Sequence, residues 1–342
     1  MSASSPTGIW PAKIEATKVR RLETSWGNRD NAPVHEKQII ITPEHPMKKL
    51  LTFVWLTALV SVGTVTAQTG ARLSAPPAGT PFIVFDNMAY AGKPDLSTNG
   101  LVPSCVIYNH AEMKTAIAAG QLPDEAAFKQ LVKSRAAGRP GPVVIDIEYV
   151  FLSQTRGTTD AEVKQHFKLF ITLARWAHEA APGHCVGYYG HGLFPEEPGK
   201  EYAAEKQQLI AAVDAFFPSM YSFGNQTPAK WQEKLQFLLA QAHELAPGKP
   251  VYPYVWGQYH EGSPKALEFL DGDRMKWELE TARDCGADGV VFWSGAKPAW
   301  KFEPCFQAML KFVADKPQRR GDGKLKSVAP GKNGRPGAFE LE

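Results

Sequence analysis

The chain has 342 residues, 38 Lys and Arg against 35 Asp and Glu for a formal charge of +3, and is 44% hydrophobic and 11% aromatic. So small a charge gives no ground for a nucleic-acid partner, and the apolar content is that of a well-filled globular core. The four cysteines, Cys105, Cys185, Cys285 and Cys305, lack the CxxC or Cys/His spacing of a zinc site, and neither a metal nor another cofactor is expected.

Residues 1–46 form a polar N-terminal extension with clustered charges such as Lys18, Arg20 and Arg21. Export signals stand at the start of a chain, so this stretch reads as a start assigned upstream of the true initiator, Met47. An authentic extension is the alternative, and would leave Leu50 to Val62 as a weak internal anchor. Residues 47–67 have the parts of an export signal: Lys48 and Lys49, the apolar run Leu50 to Val62, and small residues Val65 and Ala67 before a cut at Gln68. That run falls short of the roughly 20 apolar residues of a membrane span, and no cysteine follows the cut to take a lipid. A soluble, secreted or periplasmic monomer with no stable membrane anchor is expected. Cleavage leaves roughly 275 residues, enough for one large barrel or two small domains. Export also permits disulfides: Cys105 near an early strand with Cys305 in a terminal helix is the favoured pair, while Cys185 and Cys285 read equally well as buried free thiols.

After a Pro/Gly-containing linker at 68–80, seven β-rich runs recur: PFIVFDN, PSCVIYN, PVVIDIEYV, CVGYYGH, FFPSMYSF, KPVYPYVW and GVVFWSG. Helical patterns lie between them. Phe167, Phe170, Ile171 and Ala174 recur at helical spacing, a helix is expected over Glu201 to Phe216, and another over Ala229 to Leu245, ended by Pro247-Gly248. Such alternation points to an α/β protein with a parallel sheet, and seven units suit a closed TIM-like (β/α) barrel, distorted to seven strands, better than an open sheet. No GxGxxG or GxxxxGK(S/T) follows any strand, which weakens a nucleotide-binding alternative. The barrel domain is placed at 81–316, and the Lys-, Arg-, Gly- and Pro-rich tail at 317–342 reads as disordered.

Chemistry is concentrated at Asp146-Ile147-Glu148, the end of the run GPVVIDIEYV. Strand side chains alternate, so Val144, Asp146 and Glu148 should face one way and Ile145 and Ile147 the other. Acids at strand ends are often helix caps or partners of surface bases. Ionised carboxylates at the end of a Val/Ile run nevertheless cost on the order of several kcal/mol if unpaired, and two that flank one bond can act as acid and base in glycoside cleavage. Polar and aromatic residues gather at the same strand ends: Asp86, Tyr189, Tyr221, Tyr259 and Trp293.

The order and spacing of GPVVIDIEYV, FFPSMYSF, VGYYGH, VYPYVWGQYH and GADGVVFWSGA, led in by GQLPDEAAFKQ, resemble the hyaluronidase family of glycoside hydrolases, family 56, from about Pro81 to Val313. The resemblance implies a distorted seven-stranded barrel and a retaining, substrate-assisted mechanism. Glu148 would protonate the glycosidic oxygen and later activate water. Asp146 would hold and polarise the substrate's acetamido group, whose own oxygen attacks the anomeric carbon. Tyr221, after Pro218-Ser219, would orient that group, with Asp86, Tyr189, Ser219, Tyr259 and Trp293 lining the sugar cleft. A general acid needs a pKa above about 4.3, and the Asp146 charge and an apolar wall are both expected to push Glu148 upward.

The family pattern has Trp between the acids and aromatic, Arg and Pro after them, where this chain has Ile147 and then Val150, Phe151 and Leu152. Asp86 stands where Asn is usual, adding negative charge to the cleft, and the family's disulfide has a matching half only at Cys305. The reaction class thus transfers better than the polymer: an exported hydrolase of an N-acetylhexosamine-containing, hyaluronan- or chondroitin-like glycan. Alternatives are a chitinase- or lysozyme-like barrel hydrolase and a catalytically silent carbohydrate-binding barrel. His191 and His260 read as satisfied loop residues, Asn225-Gln226-Thr227 as an unused glycosylation pattern, and Asp271-Gly272-Asp273 as a helix-breaking turn rather than a calcium loop.

Overall fold

The computed structural model describes residues 79–318 except 109–110, 155–156, 191–201 and 296–298. The polar extension, the export signal expected at 47–67, the tail beyond Gln318 and His191 lie outside the described residues. No helix among the described residues is long and apolar enough to cross a membrane.

Strands β1 (Ile83–Asn87), β2 (Val102–Pro103), β3 (Cys105–Tyr108), β4 (Val143–Asp146), β5 (Val186–Tyr188), β6 (Tyr254–Trp256) and β7 (Gly289–Trp293) form two parallel sheets, β2-β1-β7-β6 and β3-β4-β5. Two devices join them into a distorted barrel. β2 and β3 are one barrel strand broken at Ser104. Pro103 has no N–H for a ladder, and Ser104 N–H turns to the Asp86 carbonyl at 3.0 Å, so the strand pairs β1 below the break and β4 above it. The other junction is the segment 216–219, which bridges Tyr189 through Phe217 and Val251 and Tyr254 through Phe216 and Ser219, all parallel. The seven runs read from the sequence thus occupy seven positions round the barrel. Strand and segment approach closely at Gly187, where a Cβ would meet the Ala215 carbonyl at 2.6 Å and the Phe217 ring at 2.5 Å.

Helices α1 (Ala111–Ala118), α2 (Glu125–Ala136), α3 (Asp160–Ala180), α4 (Ala203–Ala212), α5 (Pro228–Leu245), α6 (Gly272–Asp284) and α7 (Pro304–Ala314) pack outside. Their starts are legible as caps. Thr159 and Glu162 make a capping box on α3, Thr227 accepts from Lys230 N–H on α5, and Asp271 accepts from Arg274 N–H on α6. The hydroxyl of the Asn225-Gln226-Thr227 pattern is therefore a cap, and so is the first acid of Asp271-Gly272-Asp273. In α3, Val163, Phe167, Phe170, Leu173, Ala174 and Ala177 form one buried stripe against β3–β5, each large side chain contributing roughly 1.5–3 kcal/mol. The helix expected over Glu201 to Phe216 stops at Ala212. Ladder bonds claim the residues after it, Asp214 N–H to Val186 carbonyl at 2.8 Å and Phe216 N–H to Pro250 carbonyl at 3.0 Å, and Pro218 disfavours helix at Phe217.

All four cysteines are free thiols, which corrects the expected Cys105–Cys305 disulfide. Cys105 is packed between the β3–β5 sheet and its helices, whereas Cys305 belongs to the separate apolar layer around α6 and α7. Burial pushes Cys105 up to about 11 and Cys305 up to about 12. Thiol titration of the unreduced protein is expected to count four groups after denaturation and few before it. A count of two in denaturant would show that a disulfide forms.

Candidate active site

The barrel interior is filled by Phe85, Val106, Val144, Tyr189, Ala215, Phe217, Tyr221, Tyr254, Trp256 and Val291. Aromatic rings here take the place of the branched aliphatic side chains usual in such barrels. Val144 points into this cluster, while Val143, Ile145 and Ile147 pack outward against α2 and α3. The alternation expected along the acid-bearing strand is observed as far as Ile147, and it turns Asp146 toward the mouth. β4 ends there, and Glu148 stands exposed in the turn that follows the buried Ile147. Among the described residues neither acid has a hydrogen-bond or ion-pair partner.

Burial first, and then the Glu148 charge, push Asp146 up to about 7. Partial desolvation at the mouth also raises Glu148. The balance differs from the expectation that Asp146 would push Glu148 upward: the inward residue loses more water, so the larger displacement falls on Asp146. The Glu148 charge reaches Asp146, so protonation of the one acid bears on ionisation of the other.

Around Asp146 stand the rings expected from the strand ends, with three additions. Tyr189 and Tyr221 lie with centroids 6.0 Å apart at 28°, and Trp293 is 5.5 Å from Tyr221 at 32°. Burial pushes the Tyr189 hydroxyl up, offset in part by hydrogen bonding with Ser219 and Tyr221, and the charges of Glu148 and Asp146 raise it further. Ser219 has the same strand parity as Ala215, Phe217 and Tyr221 of the interior cluster. Trp256 packs edge-on to Trp293 at 4.9 Å, and His260 stacks on Tyr221 at 5.9 Å and 23°. Tyr108, directly opposite Asp146 in the β3–β4 register, accepts Trp293 Nε1–H at 2.7 Å. Burial raises the Tyr108 phenol, that bond lowers it, and the charges of Asp146 and Glu148 raise it again.

Trp256 and Tyr108 follow from period-two alternation once β6 and β3 are placed, but the sequence has too many aromatic strand ends to single them out. His260 is a site ring rather than a satisfied loop residue, and desolvation lowers its pKa against its ring neighbours.

Two expected cleft residues are not brought into this group. Asp86 points away from the interior, where Phe85 lies, and pairs with Lys93 Nζ at 2.6 Å while its other oxygen accepts Met88 N–H at 3.0 Å. Its side chain is only 8% exposed, so it adds no free charge to the cleft; Asn87 has the inward parity. Tyr259 packs against the outer apolar layer, with Lys265 Nζ 5.3 Å from its ring centroid. A cavity of about 550 Å³ opens at the opposite end of the barrel, beside Lys133, Arg139 and His184, and includes no residue of the acid and ring cluster.

No protein-family model matches the chain, and none of the curated proteins matches it. Among solved structures, bee venom hyaluronidase is similar at TM-score 0.50 and 16% identity, over 69% of this chain and 98% of that one. The same enzyme in complex with a hyaluronic acid tetramer is similar at TM-score 0.50 and 15% identity, over 69% and 97%. A family 18 chitinase from Pseudoalteromonas aurantia reaches TM-score 0.38 at 13% identity, over 69% and 100%, too slight a likeness to carry weight. The chain therefore has the distorted (β/α) barrel fold found in glycoside hydrolases.

Proposed function

We propose that the protein is an exported, monomeric glycoside hydrolase that cleaves an N-acetylhexosamine-containing glycan of the hyaluronan or chondroitin type. The observation that carries this reading is the pair Asp146 and Glu148 at the end of β4, without partners among the described residues and bordered by Tyr189, Tyr221, Trp256 and Trp293. Flat aromatic faces cover the C–H face of a pyranose, and phenol and indole groups exchange hydrogen bonds with its substituents. The bee venom enzyme, whose fold this chain shares, has been seen with a hyaluronic acid tetramer.

The proton balance of the pair supports a substrate-assisted route. In the free protein Asp146, whose pKa is the more strongly raised, is the more readily protonated of the two. An acetamido N–H brought against Asp146 stabilises its carboxylate, and the proton then belongs on Glu148. Glu148 protonates the glycosidic oxygen as the acetamido oxygen attacks the anomeric carbon and the aglycone leaves. Its carboxylate next deprotonates a water that opens the cyclised intermediate, with retention. Tyr221 and Tyr189 would orient the acetamido group, with Ser219 hydrogen-bonded to the Tyr189 hydroxyl.

Digestion of hyaluronan, chondroitin, chitin oligomers and peptidoglycan, with product masses read for each, is expected to give even-numbered oligosaccharides from one of the first two. A thiazoline mimic of the cyclised intermediate is expected to inhibit that digestion competitively. Binding without products would make the protein a carbohydrate-binding barrel. Products with no inhibition by the mimic would point to a protein nucleophile or an inverting route.

A further inference from the structure

The segment Met220 to Ser222 carries Tyr221 into the site with little sheet behind it. Its parallel bridges end at Ser219, opposite Tyr254, and Met220 N–H to the Tyr254 carbonyl at 2.9 Å is its last ladder bond. Side chains from two helices take over. From α5, the fully buried Trp231 donates Nε1–H to the Met220 carbonyl at 3.0 Å. From α6, the Glu278 carboxylate, 1% exposed, accepts the Ser222 hydroxyl at 2.5 Å. Arg274 closes a triangle, donating Nε–H to Glu278 at 2.7 Å and Nη2–H to Ser222 Oγ at 3.1 Å.

The grip extends to a second ring. The Ser222 carbonyl accepts His260 N–H at 2.8 Å, so the same residue also ties down the loop that stacks His260 on Tyr221. Buried ion pairs contribute little net stability over apolar residues of the same shape, and the second Glu278 oxygen is buried with no partner among the described residues. An arrangement this demanding, directly behind a ring of the site, calls for a reason other than stability.

We propose that Glu278 and Arg274 are positioning residues that act through Ser222 to fix the Tyr221 and His260 rings as one wall of the glycan cleft. This rests on the reading of the cleft as a glycosidase site, and one arm of its test does not need turnover.

In that arm, the imidazole proton resonances of His260, assigned with His260→Gln, are followed in the full chain, in Ser222→Ala and in Glu278→Gln. Phe223, Tyr221 and Trp256, with ring centroids 4.8, 5.9 and 6.3 Å from that of His260, displace them upfield in the parent, and both variants are expected to relax them toward the values of an exposed histidine. In the second arm, on whichever glycan the digestion panel identifies, Glu278→Gln is expected to lower kcat by about 10- to 100-fold with KM little changed. Added to Ser222→Ala, it is expected to cause no further loss, because both act through one bond. Unchanged His260 resonances in a folded variant, or kinetic losses that multiply, would overturn the proposal and leave Glu278 a structural acid. Should Glu278→Gln fail to fold, Ser222→Ala removes one hydroxyl and decides the first arm alone. Should no glycan be cleaved, the resonances still decide whether the triangle sets the rings.

Discussion

Glu148→Gln is expected to lower glycan turnover by about 10²–10⁴-fold, the range of a positioned proton donor, while the fold and most of the sugar affinity persist. The substitution keeps the shape of the side chain and removes the transferable proton. Glu148 is exposed in the turn after β4, has no partner among the described residues and belongs to no apolar cluster, so no packing is lost. The parent should also lose kcat/KM as pH rises through about 7, where Asp146, the more readily protonated acid of the free protein, ionises. Glu148→Gln should abolish that limb together with the activity. Measurement requires only product release against pH and a melting curve for each protein. Full activity in Glu148→Gln would remove the acid/base assignment, whatever else the barrel does.

Asp146→Asn is expected to slow the first chemical step by about 10²-fold or more and, in the opposite direction, to stabilise the protein above neutral pH. The folded-state pKa of Asp146 is raised from 3.8 to about 7, by burial and then by Glu148. A raised carboxyl pKa means that the folded state binds the proton more tightly than the unfolded chain. Stability therefore falls as pH rises from about 4 to about 7 and levels off above that. At about 1.4 kcal/mol for each pH unit between the two values, the ionised form is disfavoured by up to about 4 kcal/mol at pH 8, less whatever water at the mouth recovers. An asparagine at this position is a neutral isostere free of that penalty. Melting temperatures of the parent and Asp146→Asn should thus nearly coincide at pH 4 and separate by pH 8, with the variant higher. A variant no more stable at pH 8 than at pH 4, relative to the parent, would show that Asp146 is not desolvated as the geometry requires.

That stability should rise where activity falls fits a site that holds strain for chemistry. The same logic explains why the two acids stand out in the linear chain. Asp146 ends a run, Val143 to Ile145, that is wholly buried, and alternation alone sends it inward.

Where a strand rule applies, the residues are legible; where it fails by one position, they are not. Asp86 and Asn87 both end β1, and a slip of one residue exchanges the faces: Phe85 proves to be the inward residue, so Asp86 meets Lys93 instead of the cleft. Tyr259 and His260 lie beyond β6, in a loop whose shape is set by bonds to Leu267 and Glu268. No periodicity governs such a loop, and the ring delivered to Tyr221 is His260. The i,i+4 spacing of Arg274 and Glu278 is visible as a helix pair, but nothing in α6 itself indicates that this face meets Ser222, 52 and 56 residues away.

By itself the sequence determined the alternation of strand and helix, the caps that start α3, α5 and α6, and the inward aim of Asp146, because these depend on neighbours a few residues apart. Only the tertiary structure decided how the barrel closes through Ser104 and the segment 216–219, which rings surround the acids, that Cys105 and Cys305 remain apart, and that Asp146 bears the larger pKa displacement. Those outcomes depend on distances between elements far apart in the chain, and on how much water each contact removes.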